Sequence, residues 1–129
     1  MAAGDKAIRL GRLELDIMKA VWDRNGATVR EVQAALSSRG ARAYSTILTM
    51  MRKLEAKGYL KHEEKDRTFT YRAVLTRAQV RKSLLADLVD RVFDGSAELV
   101  VSGLIEHRRL SRVELDDIRK TLKGRRAGK

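Results

Sequence analysis

Residues 43–73, AYSTILTMMRKLEAKGYLKHEEKDRTFTYRA, change their hydrophobic period in the middle. Over residues 43–57 the apolar side chains recur at intervals of three and four, which is the period of a helix, and Gly58 follows as the expected stop. After Gly58, apolar and polar residues alternate in two runs that meet at the polar residues 65–67. Alternation of this kind predicts a β-hairpin with its turn at those residues.

The helix predicted over residues 43–57 has an apolar and a polar face when its residues are placed about 100° apart. The apolar face comprises Tyr44, Ile47, Leu48, Met50, Met51 and Leu54. The polar face, which carries no acid, comprises Ser45, Thr46, Thr49, Arg52, Lys53 and Ala56. Short hydroxyl side chains followed by cations allow close approach to base edges in the major groove of DNA. A solvated protein surface is the alternative interpretation of such a face.

Two amphipathic helices are predicted before this segment. Apolar residues recur at helical spacing over residues 11–23 and again over residues 29–38. Thr28 and Glu31 have the spacing of a capping box at the start of the second helix. Three helices followed by a two-stranded hairpin form the element order of a winged helix-turn-helix. We therefore predict a DNA-binding domain of this type over residues 1–75.

Four aromatic residues of this region are predicted to lie in the core: Trp22, Tyr44, Phe69 and Tyr71. Platforms on which single-stranded bases stack are the alternative. Trp22 and Tyr44 continue apolar helix faces, while Phe69 and Tyr71 share one face of the hairpin. Core packing is therefore the interpretation that we adopt.

The chain from Thr76 onward predicts a second, helical region. Apolar residues form wide stripes over residues 80–93 and 99–105, and Ser111 with Glu114 has the spacing of a capping box before a last helix. Three helices this short cannot bury so much apolar surface among themselves, so a second copy of the chain is the simplest partner. The residues predicted to form this dimer contact are Val80, Leu84, Leu88, Val92, Leu99, Leu104 and Ile118.

The predicted fold class is therefore mainly α (α+β). A winged helix-turn-helix DNA-binding domain over residues 1–75 is followed by a small helical dimerisation segment over residues 76–122. Residues 123–129 are predicted to form a basic, disordered tail.

The composition favours an anionic partner and excludes several kinds of chemistry. The 129 residues contain 28 Lys and Arg against 17 Asp and Glu, a net charge of +11, which is typical of contact with nucleic acid. The absence of cysteine excludes disulfides, thiol catalysis and thiolate metal sites. His62 and His107 lie beside acidic residues without metal-ligand spacing, and the sequence has no activated nucleophile or phosphate loop. We predict a protein that is not an enzyme and has no cofactor.

A membrane location is not expected from this sequence. No apolar run approaches the roughly 20 residues that cross a bilayer, and the N-terminus has no hydrophobic signal core. We therefore expect a cytoplasmic protein without direct membrane insertion.

The predicted DNA contacts divide into base contacts and phosphate contacts. Base edges are assigned to Ser45, Thr46, Thr49 and Arg52. Phosphates are assigned to Arg30, Arg42, Lys53, Lys65 and Arg67. For Lys65 and Arg67, a charged turn that only aids solubility is the alternative.

Several segments of the sequence match the pattern of a known family. They are residues 13–18 (LELDIM), 21–22 (VW), 27–32 (ATVREV), 43–49 (AYSTILT), 52–58 (RKLEAKG) and 69–72 (FTYR). Through these segments the chain resembles the penicillinase-repressor family (BlaI/MecI type) over roughly residues 8–122.

That resemblance implies a homodimeric transcriptional repressor whose winged helix binds a palindromic DNA operator and whose C-terminal helices dimerise. In founding members, a membrane sensor-protease that detects β-lactams leads indirectly to cleavage in the dimerisation segment, which ties the family to antibiotic resistance. By this resemblance, the cleaved Asn-Phe bond of those members falls at about Gly103-Leu104. The operator, the regulated genes and the releasing signal, with β-lactam or cell-wall stress as one candidate, are left open. A basic protein that coats nucleic acid generally and a module that binds protein are the alternative functions.

Overall fold

The computed structural model describes residues 7–127, with side chains for residues 7–124. In chain order the elements are α1 (Arg12–Arg24), α2 (Val29–Leu36), α3 (Tyr44–Ala56), β1 (Leu60–Lys65), β2 (Thr68–Ala73), α4 (Arg77–Val92), α5 (Ala97–Glu106) and α6 (Arg112–Ala127). A short 3-10 turn, Ser37–Arg39, follows α2. The predicted order of three helices, a hairpin and three further helices is confirmed.

The chain divides into two compact units, one that ends at Leu84 and one that starts at the next residue. The sequence placed this boundary earlier, at the end of residues 1–75, and the difference has a physical cause. Trp22 Nε1 donates to the Leu75 carbonyl at 2.9 Å, and Val80 is only 3% exposed. The beginning of α4 therefore packs as part of the first unit.

The hydrophobic core of the first unit is made by side chains from α1, α2, α3 and the hairpin. It comprises Ile17, Met18, Ala20, Val21, Ala27, Val29, Val32, Leu36, Ile47, Met51, Leu54, Leu60 and Tyr71. Full burial of one large aliphatic or aromatic side chain contributes about 1.5–3 kcal/mol. The helical spacing that predicted α1, α2 and α3 thus reflects burial of one face of each helix in a shared core.

The hairpin is an antiparallel strand pair with a two-residue turn. Its register begins with Leu60 opposite Ala73. Asp66 and Arg67 form the turn, with φ values of 53° and 64°. Two successive positive φ values are those of a type I′ turn, whose twist matches that of the flanking strands. The turn predicted at residues 65–67 is confirmed.

A backbone bridge that the sequence did not indicate joins the α1–α2 connection to the hairpin. Ala27 and Tyr71 exchange two backbone hydrogen bonds, of 2.9 and 2.8 Å. The chain reaches Ala27 through Gly26, whose φ of +114° favours glycine and where an added Cβ would lie 3.0 Å from Arg72 Nη1. The bridge fixes the hairpin against the helical part of the first unit.

Both predicted capping boxes are confirmed. Thr28 N–H donates to Glu31 Oε1 at 2.8 Å, and Glu31 N–H donates to Thr28 Oγ1 at 3.2 Å. At the start of α6, Ser111 and Glu114 exchange the same two bonds at 3.2 and 3.1 Å. Each box satisfies two backbone donors that a helix start leaves without partners.

Two of the four aromatic residues predicted to lie in the core are exposed. Tyr71 is buried and Trp22 half-buried, whereas Tyr44 and Phe69 are 40% and 37% exposed, so the prediction was wrong for these two. Tyr44 is the first residue of α3, so no preceding turn of that helix covers it. Phe69 lies near the hairpin tip, where its ring stacks on His62.

The second unit contains the rest of α4 together with α5 and α6, and many of its large apolar side chains are exposed. They are Leu85, Leu88, Val92, Leu99, Leu104, Ile105, Val113, Ile118 and Leu122. Most residues predicted for the dimer contact belong to this set. Val80 does not, because it is buried in the first unit, and we remove it from the predicted contact. Leu84 is half-buried beside Trp22 in that unit.

The last helix is longer than the sequence suggested. α6 continues to Ala127, so residues 123–127, predicted as part of a disordered tail, are helical. Lysine, arginine and alanine, which make up four of these five residues, are good helix formers, and no proline interrupts the segment. Residues 128–129 of the predicted tail lie outside the described residues.

Glu14 ties the start of α1 to the end of α3. It is 5% exposed, its Oε2 accepts from Lys57 Nζ at 2.8 Å, and its Oε1 accepts from the Gly11 N–H at 2.8 Å. Burial raises the pKa of the Glu14 carboxyl, but the Lys57 and Gly11 donors outweigh burial and hold the pKa below its ordinary value of 4.5. A carboxylate whose pKa is lowered in the folded state stabilises the fold at pH values above its ordinary pKa. This contribution is lost as the pH falls through the lowered pKa.

Glu14→Gln is expected to lower the free energy of unfolding at neutral pH by about 1–3 kcal/mol, because two donors lose an ionised acceptor. The difference from wild type should shrink as the pH falls from 4.5 through the lowered pKa of the folded state, because the Glu14 carboxyl of the unfolded wild type takes up a proton first. Urea unfolding followed by far-ultraviolet circular dichroism, at fixed protein concentration, measures both effects. Glu63→Gln breaks an exposed ion pair with Arg72 and should cost less than about 1 kcal/mol. Equal losses at the two positions, or a difference independent of pH, would contradict this role of Glu14.

Candidate nucleic-acid interface

The predicted polar face of α3 is exposed. Its exposed residues are Ser45, Thr46, Thr49, Arg52, Lys53 and Ala56. On the opposite face Ile47, Met51 and Leu54 are fully buried. Because these three side chains fix the rotation of α3 about its own axis, the hydroxyls and cations point away from the core.

The start of α3 is held by hydrogen bonds from the preceding helix and within its own first turn. Gln33 Nε2, on α2, donates to the Arg42 carbonyl at 2.9 Å. The Ala43 carbonyl accepts from the N–H groups of Thr46 and Ile47 at 3.1 and 3.2 Å. The exposed Arg42 side chain thus stands on a fixed backbone immediately before the polar face.

Some cations of the first unit are neutralised by ion pairs. The neutralised group is Arg39 with Asp16, Lys57 with Glu14, Arg72 with Glu63 and Arg77 with Asp23. The cations predicted to contact DNA form no ion pair with any other described residue; they are Arg30, Arg42, Arg52, Lys53, Lys65 and Arg67. A cation without an acidic partner keeps its positive potential, which attracts phosphate.

His62 connects the hairpin to the end of α3. Its Nδ1 lies 2.6 Å from Glu55 Oε2. Because an ionised carboxylate can only accept, Nδ1 is the donor. The imidazole also stacks on the Phe69 ring, with 4.3 Å between the ring centres. Lys65 is three residues farther along β1, about 10 Å toward the tip at ~3.4 Å per residue.

Sequence reasoning missed this connection and noted only that His62 lies beside acidic residues without metal-ligand spacing. Glu55 and His62 are seven residues apart and belong to elements of different period, so neither pattern links them. The reversal of the chain at Gly58, where φ is +84°, brings them together. The predicted end of the helix at Gly58 was the one local signal that the chain reverses between Glu55 and His62.

The predicted cleavage region lies in the second unit. Gly103 and Leu104 are both part of α5, so the peptide bond between them is helical. Leu104 is 40% exposed, and apart from the adjacent residues and the surrounding backbone of α5, nothing lies within 4 Å of a Cβ added at Gly103.

The environment between α3 and the hairpin shifts the pKa of Tyr71. Burial raises the pKa of the Tyr71 hydroxyl, the Glu55 carboxylate raises it further, and the hydroxyl therefore stays protonated at neutral pH.

Within residues 7–127, no three His, Asp or Glu side chains come close enough together to hold a metal ion. No helix in that range combines the length and the apolar composition that a membrane crossing requires.

The chain is similar in sequence to several regulators over most of its length. It is 33% identical to the transcriptional regulator BlaI of Mycobacterium tuberculosis over 125 residues, which cover 95% of this chain and 89% of that protein. It is 26% identical to the penicillinase repressor of Bacillus licheniformis over 113 residues, 88% of each chain.

Its fold is similar to a solved DNA-binding domain. The solution structure of the DNA-binding domain of the repressor BlaI matches with a TM-score of 0.51 and 30% identity, over 57% of this chain and 90% of that one. The predicted winged-helix architecture is thereby confirmed. The sequence pattern of the family described as "Penicillinase repressor" matches residues 10–124. This match spans nearly the whole chain, and the chain therefore belongs to the penicillinase repressor family.

Proposed function

We propose that this protein is a homodimeric transcriptional repressor that binds palindromic DNA operators with sequence specificity. The observation that carries the proposal is the exposed, acid-free polar face of α3, held outward by buried Ile47, Met51 and Leu54. A helix with such a face fits the major groove, where base edges differ in donors, acceptors and methyl groups. The names of the similar proteins, a transcriptional regulator and a penicillinase repressor, support the same function.

In this proposal α3 reads bases and the surrounding cations hold the DNA backbone. Thr46 and Thr49 lie nearest the bases, with Ser45 and Arg52 on either side of them along the helix. Phosphate contacts come from Arg30, Arg42, Lys53, Lys65 and Arg67, whose side chains have no acidic partner among the described residues. The backbone contacts set the register, and the base contacts set the sequence preference.

The dimer in this proposal uses the apolar side chains of the second unit. Leu88, Val92, Leu99, Leu104 and Ile118 are exposed there and would be covered by the same residues of a second copy. A symmetric pair presents α3 twice, so the two half-sites of an operator should lie about 34–36 Å apart or a multiple of that distance.

Release from DNA completes the proposed cycle. An unidentified signal, with a membrane sensor-protease acting indirectly as one source, would lead to cleavage near Gly103 and Leu104. Because that bond lies inside α5, a protease gains access only after local unwinding. A glycine inside a helix lowers its stability by about 1 kcal/mol relative to alanine, which favours unwinding at this point.

Selection of bound duplexes from a random pool by the full chain tests the proposed function. The expected result is enrichment of an inverted repeat with the half-site spacing given above. Failure to enrich any sequence would contradict specific operator binding and favour the coating function suggested by the net charge of +11.

A variant in which glutamine replaces Lys123, Arg125, Arg126 and Lys129 separates these two functions. An operator-binding repressor should keep its site preference, with weaker and less salt-sensitive binding. A protein that coats nucleic acid through its basic tail should lose binding altogether.

Thr46→Ala and Lys53→Ala are expected to have different effects on operator binding. Thr46→Ala should relax the preference at one base position in each half-site, because a base contact is lost. Lys53→Ala should weaken binding to all sequences alike and reduce the slope of log affinity against log salt by about 0.9 per phosphate contact. Titrations of the selected operator and a random duplex at several salt concentrations measure both. The reverse pattern would exchange the base and phosphate assignments of these residues.

A further inference from the structure

Arg30 and Tyr44 form a cation–π pair at the start of the proposed DNA-binding face. The Arg30 Cζ lies 5.1 Å from the centre of the Tyr44 ring. Arg30 is exposed in the first turn of α2, and Tyr44, the first residue of α3, is 40% exposed. We propose that Tyr44 is a positioning residue that holds the Arg30 guanidinium ready to bind a DNA phosphate. This inference rests on the proposed DNA-binding function.

The chemistry of the guanidinium makes such a pair effective. The Arg30 Cζ lies over the ring. A guanidinium that lies face to face with a ring keeps its N–H donors in its own plane, where they remain free for other acceptors. Arg30 forms no ion pair with another described residue, so no carboxylate competes for these donors. A phosphate can therefore accept two parallel hydrogen bonds from an arginine that is already oriented. The ring reduces the rotamer freedom that a flexible arginine loses on binding.

The Arg30–Tyr44 pair lies next to the first residues of the polar face of α3, which fixes where it would contact bound DNA. Tyr44 immediately precedes Ser45 and Thr46, the first residues of the polar face of α3. The capping box of Thr28 and Glu31 fixes the turn of α2 that carries Arg30. A phosphate bound by Arg30 would thus lie next to the bases that the start of α3 approaches, and would set the register of α3 in the groove.

A second arginine in the first unit provides a matched comparison. Arg77 also lies over an aromatic ring, with its Cζ 5.4 Å from the centre of the Trp22 ring. Its Nη2, however, donates to the carboxylate of Asp23. Arg77 therefore has a similar position over a ring, but its Nη2 is already engaged by an acid. Arg30 and Arg77 thus differ in whether a carboxylate already occupies their N–H donors, and phosphate binding depends on free donors.

The test compares the full-length wild type with Tyr44→Phe, Tyr44→Leu, Arg30→Ala and the double variant Arg30→Ala with Tyr44→Leu. Affinity is measured on the selected operator and on a random duplex at several salt concentrations, and far-ultraviolet circular dichroism checks that each variant folds. Tyr44→Phe keeps an aromatic face and should bind within about twofold of wild type. Tyr44→Leu should bind about threefold more weakly for each copy of the pair, on both duplexes, because phosphates carry no sequence.

The double variant decides whether the ring acts through the arginine. In the Arg30→Ala background the loss caused by Tyr44→Leu should disappear. Arg30→Ala itself should reduce the salt slope by about 0.9 for each copy that binds a phosphate. Arg77→Ala is the control and should leave both affinity and salt slope unchanged.

Several results would overturn the inference. They are unchanged binding by Tyr44→Leu, a loss that persists in the Arg30→Ala background, a loss as large for Tyr44→Phe as for Tyr44→Leu, and an unaltered salt slope for Arg30→Ala. If the wild type shows no preference for any duplex, the proposed specific function fails, while the pair is still judged on the random duplex. The two failures are therefore distinguishable.

Discussion

Leu88→Asp is expected to convert the protein into monomers and to lower its affinity for a palindromic operator by about 100-fold or more. Leu88 is 42% exposed on the part of α4 that belongs to the second unit. A carboxylate at this place would lose its water without gaining a partner when two apolar surfaces meet. The monomer would then bind each half-site separately and lose the gain from linked binding. Sedimentation velocity and operator titration measure the two effects.

Ala86→Asp is the matched control for this variant. Ala86 is exposed on the same helix, about 200° around the axis from Leu88, and the substitution adds the same charge. It should leave the protein dimeric and bound to its operator. If Leu88→Asp also remains dimeric, the assignment of the dimer contact to this face of α4 is wrong. If both variants become monomers, the added charge and not the loss of an apolar contact is the cause.

The double substitution Thr49→Ala with Arg52→Ala is expected to remove most of the preference for the operator over a random duplex. A bidentate contact from arginine to guanine discriminates by about 1–3 kcal/mol. A symmetric dimer loses each contact twice, so the expected loss in specific affinity is about 30-fold or more. Competition between the selected operator and a random duplex gives this ratio directly.

Arg39→Ala is the control for the lost positive charge. Arg39 is exposed, but it is paired with Asp16 at 2.9 Å and lies outside α3. Removal of the Arg39 side chain should cause little change in the ratio of operator affinity to random-duplex affinity. If the double variant in α3 also leaves DNA affinity unchanged, the winged helix does not read DNA and the alternative of a protein-binding module is favoured.

The elements of the fold could be predicted because their signals are local. The helix expected over residues 43–57 is observed as Tyr44–Ala56, and the hairpin turn is observed at Asp66 and Arg67. Hydrophobic period, capping boxes and glycine stops depend on residues a few positions apart, so they are visible in the sequence. The same reasoning located the polar face of α3, because a helix with apolar residues on one side and polar residues on the other turns its polar side to water.

The tertiary surroundings of single residues were less predictable. Tyr44 and Phe69 lie on apolar faces of their elements, yet each is at a place where the core does not reach. Val80 shares the period of Leu88 and is nevertheless buried in the other unit. Which part of an apolar stripe is covered depends on the neighbouring elements, and a periodic pattern along one helix does not contain that information.

The two units of this protein differ in fluorescence, because Trp22, whose indole donates to the Leu75 carbonyl, lies in the first unit. It is the single tryptophan of the chain, and the three tyrosines, Tyr44, Tyr59 and Tyr71, also precede Leu84. Tryptophan and tyrosine fluorescence therefore reports melting of the unit that ends at Leu84. The helices beyond Leu84 contribute no such emission, so their unfolding or separation has to be followed by a label attached there or by hydrodynamic size.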